Sequence, residues 1–155
     1  MGRIAGLDVG ERRIGVAVSD ATATLARPVG VVTTAGLDRD AVTRVEAELV
    51  RLSAGDEPVE LLVVGLPRRL DGSRGPLTSR IEAFAARLAP RVAVPIVFQD
   101  ERLSSHEAEA RLALRVRDWR ARKARLDAAA AAVILQDYLD TVAASPMPGE
   151  GASGP

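Results

Sequence analysis

Arg3-Ile4-Ala5-Gly6-Leu7-Asp8-Val9-Gly10-Glu11-Arg12-Arg13-Ile14-Gly15-Val16-Ala17-Val18-Ser19-Asp20 is the stretch on which the reading of the whole chain turns. Two apolar runs containing Val and Ile, residues 3–9 and 13–19, flank Gly10-Glu11-Arg12, the pattern of a β-hairpin. One residue breaks the pattern. Asp8 stands inside the first run, where strand propensity disfavours it and burial of a bare carboxylate is costly. Such a group calls for a cationic partner: a metal ion, an arginine or a substrate.

Beyond the hairpin, a third strand is expected at Val29 to Thr34. Asp38 is placed to cap a helix reaching Leu52, because Val42, Val45, Leu49 and Leu52 recur at spacings of three or four. Residues 60–65 form a short continuous apolar run ending in Gly65-Leu66-Pro67, the pattern of a strand buried on both faces. A polar loop over 68–75 leads to Pro76, which suits a first helical position, and that helix carries Leu77, Ile81, Phe84, Ala85 and Leu88 as far as Pro90. Residues 94–99 read as a strand with Pro95 tolerable only near its start, followed by Asp100-Glu101-Arg102. Ser104 and Glu107 make a capping box for a helix through Leu112 to Val116, whose first turn holds His106. A final helix is expected from Leu126 to Ala143. Its alanine run, 128–132, favours helix and allows close approach to a sheet. The Pro/Gly-rich tail, 145–155, reads as disordered. Strands alternating with helices after an initial hairpin give one α/β domain over residues 1–144, with a mixed sheet of about five strands.

Composition narrows the chemistry. A chain of 155 residues, 47% hydrophobic, suits one domain with an ordinary core. The absence of cysteine excludes disulfides, thiol nucleophiles and cysteine-ligated zinc, and fits a reducing compartment. With a single histidine, any metal must be held by oxygen, which favours Mg2+ or Mn2+ over zinc. The N-terminus has no basic segment followed by an apolar stretch of roughly 7 to 15 residues, and the run from Ala128 to Leu135 is far short of the ~20 residues that span a bilayer. A cytoplasmic location and no membrane role are therefore expected.

Net charge is zero, 21 bases against 21 acids, so no global field attracts polyanions. Locally, residues 111–125 carry seven bases against one acid, net +6, together with Trp119. That segment is either an exposed helix face or a groove for nucleic acid, whose phosphate contacts would be salt-dependent with little sequence preference. Trp119 belongs to the core or stacks on a base; 3% aromatic content argues against an aromatic platform.

Three acids interrupt an apolar context or end a buried strand: Asp8, Glu101 and Asp127. Each also has a plain structural reading. Asp127 could cap a helix or complement its dipole, and Glu101 could pair with Arg102 or Arg13. Asp8 is the hardest to explain structurally. If the three converge, any two carboxylates ~4 Å apart repel by about 4 kcal/mol at an effective dielectric near 20, so they need a cation or must take up protons. Two divalent ions ~4 Å apart would activate water and stabilise the leaving oxygen in phosphodiester hydrolysis.

At these residues the chain resembles the YqgF/RuvX family, a group of pre-16S rRNA nuclease and Holliday-junction resolvase-like proteins with an RNase H-like (RuvC-like) fold. The resemblance runs from about residue 3 to 140. It rests on Gly6-Leu7-Asp8-Val9-Gly10 with Arg13 to Asp20, on Val63-Val64-Gly65-Leu66-Pro67 with Asp71-Gly72, on Asp100-Glu101-Arg102-Leu103-Ser104, and on Asp127-Ala128-Ala129-Ala130 with Ile134-Leu135-Gln136. It implies that Asp8, Glu101 and Asp127 form a catalytic, metal-binding triad for Mg2+ or Mn2+, with Asp127 opening the last helix. Strand alternation alone leaves open whether Asp100 or Glu101 faces the site, and the resemblance favours Glu101. It further implies a nuclease acting on RNA or DNA, in processing of the 5' end of pre-16S rRNA during ribosome biogenesis, with ribosomal precursor particles as partners. The alternative is a Holliday-junction resolvase, and the chain could act as monomer or homodimer. One departure lies before Asp127. Where the family has a Gly/Lys-rich loop, this chain has Arg120-Ala121-Arg122-Lys123-Ala124-Arg125, which is more helical in character.

Basic residues beside these elements are candidates for the phosphate backbone: Arg12, Arg13, Arg68, Arg69, Arg74, Arg102, Arg120, Arg122 and Lys123. Two other classes compete. The Asp8-containing hairpin also resembles the first phosphate motif of the actin/hexokinase fold, but those proteins hold nucleotide between two domains, and there is no Gly-x-x-x-x-Gly-Lys loop. A non-catalytic nucleic-acid or ribosome-assembly module is the third class, and a pure binder gains nothing from turning three acids towards phosphates.

Overall fold

In the computed structural model residues 2–55, 57–67, 75–100 and 119–144 are described, with 119–126 and 144 as backbone alone. The expected helix at 104–116, the loop at 68–74 and the tail at 145–155 lie outside them.

The opening hairpin forms as its pattern predicts. β1 (Arg3–Val9) and β2 (Arg13–Ser19) pair antiparallel from Ala5↔Val18 to Val9↔Ile14. The Gly10 N–H donates to the Arg13 carbonyl at 2.9 Å to close the turn. β3 (Ala26–Thr33) pairs antiparallel with β2 and starts three residues before the expected Val29. The register shifts by one between Val16 and Ala17, which leaves Val29 as the extra residue of a bulge. Pro28 is accommodated because β3 is an edge strand, where a missing N–H disturbs no central ladder.

α1 (Arg39–Ser53) begins where Asp38 accepts a hydrogen bond from the Ala41 N–H at 3.1 Å, and buries Val42, Val45, Leu49 and Leu52 as their spacing requires. β4 (Val59–Leu66) runs parallel to β1. α2 (Pro76–Leu88) starts on its proline, and the Thr78 hydroxyl donates to the Pro67 carbonyl, tying the helix start to the end of β4. A 3-10 turn over Ala89–Arg91 takes in Pro90. β5 (Ile96–Asp100) runs parallel to β4; Pro95 stays outside it, its carbonyl accepting the Leu62 N–H at 3.0 Å. α3 (Trp119–Ala144) is already helical at Trp119, seven residues before the expected start, so the Arg120 to Arg125 segment is helix and not loop.

The five strands lie in the order β3-β2-β1-β4-β5, with helices on both faces. On one face Leu7, Ile14, Val16, Leu62 and Val64 pack under α1 and α2, whose Val45, Ile81, Phe84 and Leu88 are fully buried. On the other, Ala17 and Val63 meet Ala131, Ile134, Leu135 and Leu139 of α3. Each such leucine, isoleucine or phenylalanine contributes roughly 1.5–3 kcal/mol by its burial. α3 sits close to the sheet because small residues face it: a Cβ on Gly6 would lie 2.9 Å from the Leu135 Cβ. The Gln136 amide pins this helix to the start of β3, accepting from the Ala26 N–H at 2.9 Å and donating to the Thr24 carbonyl at 3.0 Å.

Candidate active site

Asp8 is the penultimate residue of β1. Leu7 and Val9 point to the α1/α2 face, so alternation turns Asp8, with Gly6, to the α3 face, where it is half-buried. Directly opposite Asp8 in the hairpin is Gly15. A Cβ built on Gly15 would lie 1.9 Å from the Asp127 carbonyl oxygen, so the backbone of α3 rests against β2 at the very position that faces Asp8. Gly15 therefore links two of the three expected acids at one end of the sheet: it pairs with Asp8 of the first strand and touches the backbone of Asp127 in the last helix.

Arg13 joins them. It lies two residues before Gly15 on the same face of β2, and its Nη1 stands 3.8 Å from Asp127 Oδ2. That oxygen is buried, while the two side chains are 40% and 27% exposed, so the contact is a loose ion pair worth at most about 1 kcal/mol. The alternative pairing of Arg13 with Glu101 is not needed to explain the arginine. Asp127 is not a helix cap, nor does it open α3. It stands eight residues after Trp119, beyond the first turn over which a helix dipole acts.

The sheet also orders what lies beside Asp8. Leu7 is level with Val64 and Val64 with Phe98, so Asp8 shares a row with Gly65 and Gln99 across three parallel strands. Gly65 carries no side chain, so it places none of its own between Asp8 and β5 on this row. Asp100 is opposite Leu66 and shares the face of Ile96, away from Asp8. Glu101 itself lies outside the described residues, as do Arg68, Arg69, Arg74, Arg102 and His106. Arg120, Arg122 and Lys123 fall on α3, and Trp119 with them, where only the backbone is described. Arg12 is exposed on the hairpin turn and lies against α2, on the opposite side of the sheet from Arg13.

Among the described residues no three acidic or histidine side chains cluster as a metal-binding group. Asp8 and Asp127 supply two carboxylates from separate elements, one with a buried oxygen, and such hard oxygen donors fit Mg2+ or Mn2+. The roles of Gly15 and Gly65 are not evident from their neighbours in the chain. Their signal was a glycine inside or ending an apolar strand, the mark of a close backbone approach or an open space. Among the described residues no helix is long and apolar enough to cross a membrane.

Proteins of known sequence and structure resemble this chain. A protein from Roseiflexus sp. (strain RS-1) named "Putative pre-16S rRNA nuclease" is 42% identical over 141 residues, covering 90% of this chain and 95% of the relative. One of the same name from Nocardioides sp. is 44% identical over 149 residues, covering 94% and 92%. Among solved structures, Thermus thermophilus RuvC aligns over 94% of this chain and 99% of its own with a TM-score of 0.51 and 21% identity. The fowlpox virus Holliday junction resolvase aligns over 90% and 99% with a TM-score of 0.54 and 13% identity, and both likenesses concern the fold. The family model described as "RuvX: Holliday junction resolvase" matches residues 2–141, and with that match over nearly the whole folded domain the chain belongs to the RuvX family.

Proposed function

We propose that this protein is a cytoplasmic, metal-dependent nuclease that hydrolyses phosphodiester bonds of RNA in the maturation of pre-16S rRNA. The observation that supports the reading is the contact of Gly15, the residue opposite Asp8 in the hairpin, with the backbone of Asp127 in the last helix. Its substrate follows the names of relatives more than 40% identical over about nine-tenths of this chain. Four-way junction DNA is the second reading, favoured by the family description, and symmetric resolution would require a two-fold dimer.

Asp8, Asp127 and Glu101 hold Mg2+ or Mn2+ in this proposal. For Glu101 the support is indirect: its neighbour Asp100 occupies the opposite face, and Gly65 adds no side chain of its own across the two strand spacings, roughly 10 Å, between β1 and β5. A bound divalent cation supplies charge stabilisation at the scissile phosphate and makes water nucleophilic near neutral pH. Asp8, fixed by the β1/β2 ladder, and Asp127, fixed by the seat of α3 on Gly15, present their carboxylates without needing to reorganise. Arg13 restrains the Asp127 carboxylate and adds positive charge where a phosphate enters.

The test is a cleavage panel of precursor rRNA fragments, single-stranded DNA and four-way junctions, each with Mg2+, Mn2+ or chelator. Wild type should cut RNA only with a divalent ion, and Asp8→Asn should lose cleavage while keeping its circular dichroism spectrum. Mn2+-dependent cleavage retained by Asp8→Asn, or wild-type cleavage undiminished in chelator, would sink the assignment.

A further inference from the structure

The hairpin turn presents its two arginines to opposite sides of the sheet. Arg13 turns to Asp127, whereas Arg12 lines a groove on the α1/α2 side together with Arg80, Phe84 and Arg87. A second groove adjoins the first through Arg87 and is lined by Arg39, Arg87 and Arg91. Five arginines thus follow one another from the rim of the candidate active site along α2 and across to the start of α1. We propose that this line is a track for a nucleic-acid backbone, which holds the strand flanking the cut after it passes over the sheet's end; the inference rests on the nuclease reading of the Asp8 site.

Charge bookkeeping separates this face from an ordinary solvated one. Elsewhere on α1 the arginines are matched, Arg44 with Asp40 and Arg51 with Glu48, within the same helix. Along the track Arg80 reaches Glu11 and Arg91 reaches Glu46 at 2.7 Å, while Arg12, Arg39 and Arg87 have no ion-pair partner among the described residues. All five arginines are exposed. Arg39 is the first residue of α1, where a cation opposes the helix dipole, so its place is not explained by helix stability. Arg80 and Arg87 are two turns apart on α2, about 10 Å along the axis, which matches about three phosphates of a stacked strand at 3.4 Å each. The apolar floor offered by Phe84 and Val42 is buried beneath them, so the contacts available are to phosphates and the track is indifferent to sequence.

The experiment measures binding by fluorescence anisotropy in the Asp8→Asn background, which removes cutting. Labelled mixed-sequence single strands of about 4 and about 16 nucleotides, as RNA and as DNA, are titrated over a range of salt. Adding Arg39→Ala with Arg87→Ala should weaken binding of the longer strand at least tenfold and flatten its log-log salt slope by about 1.4, with less than a twofold change for the short strand. Adding Arg44→Ala with Arg51→Ala, which removes the same formal charge from paired positions, should change the longer strand's affinity less than threefold. Thermal melts confirm that each variant is folded. Equal losses from both double variants, an unchanged salt slope in the first, or no salt-dependent binding of the longer strand at all would overturn the track. Failure of the parent reading looks different: wild type with Mn2+ then leaves the longer strand uncut, while the two double variants still separate in affinity.

Discussion

Gly15 governs the Asp127 carboxylate more firmly than its charged neighbour does. Arg13 touches Asp127 only at 3.8 Å and from a partly exposed position, so Arg13→Ala should cost under about 1 kcal/mol of stability. Gly15 is met by backbone, which cannot rotate away as a side-chain tip can. The methyl group of Gly15→Ala must therefore lift α3 from β2 or distort the hairpin, at about 1–3 kcal/mol by the measure of overpacked cores. It also displaces Asp127 from Asp8. A shift of about 1 Å at a reacting centre costs on the order of a hundredfold in rate, so single-turnover cleavage should fall by about that factor even where urea melts show the protein folded. Wild-type stability and wild-type cleavage in Gly15→Ala would mean that α3 does not seat on the strand at this point.

At the scale of elements, what could be read from the chain was whatever is encoded locally. α1 was legible from its cap and its spacing, and the Asp38 carboxylate does accept the Ala41 N–H. Asp38→Ala should therefore cost about 1 kcal/mol in a urea melt, the usual worth of such a cap, and leave cleavage at the wild-type rate; a null effect on the melt would remove the cap from the account. The hairpin, β4 and α2 were legible for the same reason, through apolar runs, Gly10 and Pro76. The start of β3 was not, because Ala26 is held by Gln136 from a helix 110 residues away, a partner no local pattern announces. The helical character of residues 120–125 is legible in their sequence, but the onset of α3 ahead of Leu126 is not, because a run so rich in charge shows no apolar spacing to mark where the helix begins. The same hidden onset decides the role of Asp127, which a helix starting near Leu126 makes a cap and a helix running through it from Trp119 makes a side chain on the helix surface. Asp100 belongs to the far face because Ile96 and Val97 join different cores, a partition that strand alternation alone does not reveal.

For the whole molecule, the candidate site is a joint between separately built parts. Asp8 comes from a strand locked into the centre of the sheet, Asp127 from a helix held by small-residue contacts at Gly6 and Gly15 and by the Gln136 amide. In the proposed site two carboxylates at this joint would repel and oppose the packing that brings them there, and a divalent cation held by both would reverse that opposition. Cation binding is then linked to global stability through RT ln(1 + [L]/Kd), about 2.7 kcal/mol at a hundredfold excess over Kd. For a domain of this size, each kcal/mol moves the midpoint by about 2–4 °C, so saturating Mn2+ should raise the Tm of wild type by about 5–10 °C. Asp8→Asn relieves the repulsion and removes a ligand. Its Tm without metal should therefore equal or exceed that of wild type, and Mn2+ should shift it by less than about 2 °C on the same scale. Differential scanning calorimetry with Mn2+, with Mg2+ and with chelator reads this without any substrate. An equal Mn2+ shift in wild type and Asp8→Asn would place the cation elsewhere on the molecule, and the joint between β1 and α3 would then be a packing feature with no role in holding metal.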